Sequence, residues 1–180
     1  MQDLMEVIKG RRSVRKFQDK EIPDDILNNV FEAAKWSQSW ANTQCWEIIV
    51  IKSNDIKKKL QTAITDKNPA FKAIGAAPII LGICAKLNSS GYYKGIVTTK
   101  FGDWFMFDMG LLCQNICLSA HCFGLGSVIV GLFDHDKAKE VLKVKEGYEL
   151  VTLIPIGYPE KIPSAPNRKE IKDFVHYDVF

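Results

Sequence analysis

The sequence predicts one domain spanning 1–180 in which helices cover a β-sheet, with 159–180 as an extended C-terminal tail. Two observations carry this expectation. Apolar runs of strand length stand at 46–51, 78–85, 127–132 and 150–156, and between and before them apolar residues recur at helical spacing. A chain of 180 residues, 47% hydrophobic and 25% charged, is also long enough for one sizeable core and short for two. The order helix, helix, strand, helix, strand, long helix, strand, helix, strand suits a sheet with helices packed on it. It is not a doubly wound nucleotide-binding start, because two helices precede any strand.

Leu4, Val7 and Ile8 form the apolar face of a short first helix, and Gly10 is expected to supply its left-handed stop. Pro23, Asp24 and Asp25 open a second helix, in which Ile26, Leu27, Val30, Phe31 and Ala34 repeat at core-facing spacing up to about Trp36. A polar loop, Ser37 to Gln44, leads into the strand Trp46 to Ile51. Asn54 to Ile64 is a lysine-rich surface helix, Pro78 to Ala85 a buried strand, and Lys86 to Gly102 a loop long enough to serve as a lid or substrate edge. The longest helix runs from Asp103 to about Phe123 and is apolar nearly all round, so it is buried on most of its surface. Gly124-Leu125-Gly126 closes it. This glycine pair follows a helix and precedes a strand, the reverse of a phosphate-binding arrangement, and is a C-cap with a tight crossing. Ser127 to Leu132 is then a strand, Asp134 caps a helix to Leu142, and Leu150 to Ile156 is the last strand.

The net charge of +3, with 24 basic residues against 21 acidic, is too small and dispersed for a nucleic-acid partner. Met1 to Glu6 lacks the basic start of a leader, and no apolar run approaches the ~18 residues that span a bilayer, so a cytoplasmic protein without a membrane partner is expected. Five dispersed cysteines fit reduced core thiols better than disulfides. Cys113, Cys117 and His121 share a helical face, which suits packing better than metal binding. Hydrolytic signatures such as Gly-x-Ser-x-Gly or His-Glu-x-x-His do not occur.

Against this even background, Arg11-Arg12-Ser13-Val14-Arg15-Lys16 places three guanidiniums, a hydroxyl and an ammonium in six residues. Such a run can be a solvated basic turn. Because the surplus of charge is local, a small anionic ligand is the better reading, since arginine forks match phosphate oxygens in pairs. Trp40, among polar loop residues, is a further candidate for ligand contact.

Arg11 to Phe17 resembles the opening motif of the FMN-dependent nitroreductase family, and Ser39-Trp40-Ala41-Asn42-Thr43-Gln44-Cys45-Trp46 resembles the family's Ser-x-x-Asn-x-Gln-Pro-Trp. Gln114-Asn115 on the long helix, Gly124-Leu125-Gly126, Gly131-Leu132-Phe133, Ile156-Gly157-Tyr158-Pro159 and a late Arg168 complete the layout. The resemblance implies an α+β fold, a helix-covered mixed sheet in an intertwined homodimer, with FMN between the subunits. Arg11, Arg12, Ser13, Arg15 and Arg168 would hold the phosphate, the ribityl chain and the pyrimidine edge of the ring. Ser39, Trp40 and Asn42 would reach the flavin from the partner chain. A strand through Ile129, Val130 and Gly131, with Leu132, would run beside the ring and offer a backbone N–H to N5. Cys45 stands where the family has proline, as does Gln38 before Ser39.

The activity so implied is hydride transfer from NADH or NADPH to FMN and on to a nitroaromatic, quinone or similar acceptor in a ping-pong cycle. No side chain need act as nucleophile or base, and no metal is needed. A different reaction on the same fold, dehydrogenation or dehalogenation, and a flavin-carrying module without turnover are the alternatives.

Overall fold

Asp3 opens the first helix in the computed structural model, which describes residues 3–180: its carboxylate accepts the Met5 N–H at 2.8 Å, and α1 runs Leu4–Gly10. Met1 and Gln2, the start of the stretch weighed as a leader, lie outside the described residues. Helix α2 (Asp24–Lys35) buries Leu27, Val30 and Ala34, as its spacing requires. A short 3-10 turn (Trp40–Asn42) leads to β1 (Trp46–Ile51). Then come α3 (Asn54–Gln61), capped by the Ser53 hydroxyl, α4 (Phe71–Ala76) and β2 (Ile79–Lys86). A hairpin of β3 (Tyr92–Tyr93) and β4 (Ile96–Val97) precedes α5 (Phe105–Cys122). The chain continues through β5 (Gly126–Ser127), α6 (His135–Leu142) and β6 (Tyr148–Gly157).

The main sheet has the order β1-β2-β6-β5, with every neighbouring pair antiparallel. A parallel bridge from Ser13 to Ser127 extends its β5 edge. Strand β2 is buried on both faces, which is why it reads as an unbroken apolar run. Its alternate side chains enter two cores. Ile80 and Cys84 join Leu60, Ile74, Leu150 and Leu153 beneath α3, α4 and α6. Ile79, Leu81 and Ile83 face Met109, Leu112 and Ile116 of α5, with α2 packed beyond. Helices on both faces of a largely antiparallel sheet give the α+β class that the sequence implied.

Three expectations change. The strand expected over 127–132 is only partly formed. Ser127 pairs with Ile156 and Val130 with Leu153, so one register runs through both. Between them Val128 donates to Pro155 O at 3.3 Å, but Pro155 has no N–H to return the bond. The ladder therefore breaks after Ser127 and resumes as a single bridge at Val130. The segment expected as loop at 86–102 contains the β3–β4 hairpin, whose turn residues Lys94 and Gly95 both have positive φ (50° and 78°), the geometry that matches strand twist in a two-residue turn. Helix α4 was not foreseen, because it is six residues long and lacks a side-chain N-cap.

Candidate functional site

Gly10 is the last residue of α1 and is not left-handed as expected, the chain turning out at Arg11 (φ −58°, ψ 134°) instead; what calls for a glycine is His121 of α5, whose Nε2 a Cβ would meet at 2.7 Å. The chain leaves the helix extended and is stitched to the sheet edge. Val14 N donates to Ser127 O at 2.9 Å, Gln18 N to Tyr158 O at 2.8 Å, and Glu160 N to Lys16 O at 3.1 Å. Val14 and Phe17 are buried, and Arg15 and Lys16 between them are exposed. Apolar anchors thus fix the backbone that presents the cations. The arginines are not equivalent. Arg12 Nη1 donates to the Lys9 and Arg11 carbonyls, which fastens it to the C-terminus of α1, where a cation meets the negative end of the helix. Arg15 makes one long bond, to Ser13 O at 3.4 Å.

Arg11 and Arg12 share a cleft of about 1110 Å³ with Lys9, Gln114 and Arg168, floored by Met5, Ile8 and Phe174. The fold therefore brings the late arginine to the early cluster, across most of the chain. Behind the same pair a smaller cleft of about 220 Å³ is bounded by His121, Ser127 and Pro159. Burial, together with the positive charge of Arg11 and Arg12, lowers the His121 pKa, so this imidazole stays neutral at neutral pH.

Ser39, Trp40 and Asn42 are held together elsewhere. Ser39 and Asn42, with Trp36 and Gln44, line a separate cleft of about 470 Å³. Ala41, Asn42 and Gln44 all have positive φ (46°, 56° and 48°), a strained run for residues with a Cβ. Ser39 Oγ accepts the Gln44 N–H at 3.0 Å, and Trp40 N donates to Asp108 Oδ1 at 3.0 Å. Asp108 is the residue sequence reasoning missed. It is fully buried on α5 and accepts from the Ser90 hydroxyl at 2.6 Å and the Cys45 thiol at 3.6 Å as well. Its signal was faint: the one carboxylate in a largely apolar helix.

Ile129 to Leu132 lies at the open edge of the sheet, next to Ser127 and hence to the arginine segment. Val130 is buried, whereas Ile129, Gly131 and Leu132 are exposed. Val130 and Leu153 exchange both backbone bonds, at 2.9 and 3.1 Å. Alternation along an antiparallel pair then aims the N–H groups of Ile129 and Gly131 away from β6, off the edge. Asn68 Nδ2 donates to Leu132 O at 2.8 Å and pins the segment.

The buried thiols are quiescent. Burial, then the nearby Asp108 charge, pushes Cys45 up to about 11, and burial pushes Cys84 to about 11 and Cys113 to about 12. Among the described residues no group of three His, Cys, Asp or Glu side chains is placed to hold a metal ion, and no helix is long and apolar enough to cross a membrane.

The arrangement has known counterparts. The sequence model of the Nitroreductase family matches residues 8–158, from the end of α1 to the point where the exposed tail begins. The chain belongs to the nitroreductase family. A protein of Methanothermobacter thermautotrophicus with the provisional name NADH dehydrogenase/NAD(P)H nitroreductase is 28% identical over 167 residues, covering 91% of this chain and 81% of that one. Iodotyrosine deiodinase 1 of Homo sapiens is 23% identical over 191 residues, covering 93% of this chain and 65% of its own length. Among solved structures, a nitroreductase family protein from Clostridium novyi NT superposes with a TM-score of 0.79 at 29% identity, over 88% of this chain and 86% of that one. An FMN-dependent nitroreductase from Clostridium difficile R20291 reaches 0.81 at 25% identity, over 98% and 99%. The nitroreductase fold of this chain is thereby established from sequence and from structure.

Proposed function

We propose that this nitroreductase-family chain is an FMN-dependent oxidoreductase that takes hydride from NADH or NADPH and reduces a nitroaromatic, quinone or similar small acceptor. The observation that carries the reading is the single cleft that gathers Arg11, Arg12 and Arg168. The donor set suits a terminal phosphate: forked guanidiniums on a backbone anchored by buried Val14 and Phe17, in a cleft of nucleotide size. One compact cationic cluster fits FMN better than a dinucleotide.

When bound, FMN supplies the two-electron chemistry for both half-reactions. The protein's task is to bind, orient and shield. Arg11, Arg15, Arg168 and the Ser13 hydroxyl would hold the phosphate and ribityl chain, with Arg12 contributing charge from its seat on α1. The N–H groups of Ile129 and Gly131 face outward, free to orient the ring edge, and Leu132, 72% exposed, offers an apolar wall. Ser39, Trp40 and Asn42 do not line the arginine cleft of their own chain, which supports their serving the pocket of a second copy. Exposed Leu4 and Met5 on α1, Met106 and Phe107 on α5, and Ile171 and Phe174 in the tail provide apolar surface for such a homodimer.

The direct test is the visible spectrum of purified protein, followed by anaerobic addition of NADPH or NADH. Yellow protein that bleaches with a nicotinamide and recovers colour with a nitroaromatic or quinone is expected. Colourless protein that fails to take up added FMN refutes the reading. The shared pocket is tested by mixing an Arg11→Ala/Arg15→Ala chain with an Asn42→Ala chain, each inactive alone, and reassembling them. In a mixed dimer one pocket collects both lesions and the other none, so about a quarter of all pockets recover under random pairing. Demonstrated heterodimers without recovered activity refute the shared placement alone. The deiodinase relative sustains a second reading, reductive dehalogenation, which release of halide from an aryl halide by the reduced protein would reveal. Reduced flavin that no acceptor reoxidises would instead mark a carrier without turnover.

A further inference from the structure

Asp108 is fully buried, and every group that bonds it is neutral: the Trp40 amide, the Ser90 hydroxyl and the Cys45 thiol. Among the described residues no lysine or arginine pairs with it. A carboxylate satisfied in this way depends on each donor, because losing one leaves a buried charged acceptor short of a bond and frees the others to shift.

The three donors come from two separate parts of the chain. Trp40 belongs to the strained turn at Ala41, Asn42 and Gln44, whose left-handed residues persist only while their surroundings hold them. Cys45 begins the path into β1. Ser90 is at the root of the β3–β4 hairpin, where its carbonyl also accepts the Trp104 N–H at 3.0 Å. That root is rigid. Gly91 has φ of 83°, and a Cβ on it would lie 2.6 Å from Gly102 O, while Thr98 N closes on Gly91 O at 2.9 Å. Beyond it stand exposed Tyr93, Ile96 and Phe101, with Phe101, Trp104 and Phe107 in a row at ring-centroid distances of 5.8 and 5.5 Å.

We propose that Asp108 is a positioning residue that locks the Trp40 turn and the Tyr92–Val97 hairpin to one another, so that the seat of the hairpin sets how firmly the turn grips its ligand. The functional consequence rests on the reading of that turn as a flavin contact; the lock itself does not. Asp108 reaches neither cofactor nor substrate and acts through the Trp40 backbone. With the 86–102 segment serving as a substrate edge, a hairpin bearing exposed aromatic rings and tied by one buried group to the turn would couple occupancy of the acceptor side to cofactor affinity.

The test uses the full chain with Ser90→Ala, which alters no residue of the turn and none of the proposed flavin contacts. Hydrogen exchange at the Trp40 amide, FMN dissociation followed by flavin fluorescence, and acceptor KM and kcat are measured together. Ser90→Ala is expected to speed Trp40 exchange and raise the FMN dissociation constant about tenfold, the scale of one bond to a buried charge. KM for the acceptor should rise more than kcat falls. Asp108→Asn keeps an oxygen for Trp40 and can donate to Ser90 Oγ, so it should stay within about threefold of wild type, whereas Asp108→Ala should exceed the Ser90→Ala loss. A lowered melting temperature in Ser90→Ala with wild-type Trp40 exchange and FMN affinity would show a purely structural bond and overturn the proposal. Faster Trp40 exchange in a protein that never binds FMN would uphold the lock and reject the flavin reading. Should Ser90→Ala fail to fold, wild-type exchange decides: Trp40 and Thr98 amides opening at one rate support the lock, and independent opening refutes it.

Discussion

Gly126→Ala offers a sharp test of how the arginine segment is mounted. A Cβ at Gly126 would lie 2.7 Å from both Cβ and Cγ2 of Val14 and 2.8 Å from its Cγ1. Val14 has nowhere to retreat, being 3% exposed and tied through its N–H to Ser127 O at 2.9 Å. Relief needs the 13–17 backbone to lift from the sheet edge, which sacrifices that bond, worth about 1 kcal/mol, on top of an overpacking cost of about 1–3 kcal/mol. A total of roughly 2–4 kcal/mol corresponds to a melting point lowered by roughly 4–16 °C in a chain of this size. Gly10→Ala is the control. Its new Cβ would meet His121 Nε2 at 2.7 Å, the far end of a ring that can turn aside, and alanine favours the helix by about 1 kcal/mol, so the change should be near neutral. Thermal and urea unfolding of the flavin-free protein measure both, and FMN affinity should fall in Gly126→Ala because Arg11 to Arg15 move with Val14. Gly126→Ala melting within 1 °C of Gly10→Ala would show that the segment is not seated on the sheet as described.

Arg15→Ala should weaken FMN binding by about 1.5–3 kcal/mol, the worth of a charge-assisted bond, with the gap to wild type narrowing as salt rises; equilibrium titration at two ionic strengths checks it. Cys45→Ser should leave turnover nearly unchanged, since burial holds the thiol at about 11 and a serine hydroxyl can donate to Asp108 in its place. Loss of activity with FMN still bound would point to thiol chemistry. His121 has a folded pKa below its unfolded value, so the unfolded chain takes up its proton first as pH falls, and stability drops from about pH 6.5 down to the lowered folded value. His121→Gln should flatten that part of a melting-temperature profile relative to wild type, and an unchanged slope would contradict the lowered pKa.

The parts legible in the sequence were those where one physical cause dominates. Burial on both faces made 78–85 read as a strand, and the periodic Leu27, Val30 and Ala34 gave α2 its face. Where two causes compete, reading failed. Ser127 to Leu132 has a strand's composition, but its pairing is decided by Pro155 on another strand. Lys94-Gly95 marks a turn, yet the two-residue strands beside it are too short to announce themselves. The arginine cluster was visible as charge, whereas its meeting with Arg168 came only from the resemblance, since no local pattern links an exposed tail to α1. Asp108 was hidden because its partners, at 40, 45 and 90, are joined to it only by the folded chain.

The side chains near these clefts also bear on what kind of chemistry the protein can perform. His135 turns one ring nitrogen to Leu150 O at 2.8 Å and the other to Gly131 O at 3.2 Å, so its imidazole serves the fold. His121 is packed on Gly10 beside two guanidiniums that oppose its protonation, which makes it a poor acid at neutral pH. His176 lies tilted against Phe180 in the tail, with ring centroids 4.6 Å apart. Cys45, Cys84, Cys113 and Cys117 are all raised by burial and carry almost no thiolate. What remains in the clefts is cationic, amide, hydroxyl or apolar: groups suited to holding and orienting a charged, planar molecule. Such a protein gains reactivity from what it binds, and its residues act on rate through placement. For that reason the affinity and seating of the proposed flavin, which Val14 on the sheet edge and Asp108 beneath the Trp40 turn would govern, are where substitutions far from any reacting atom should register in turnover.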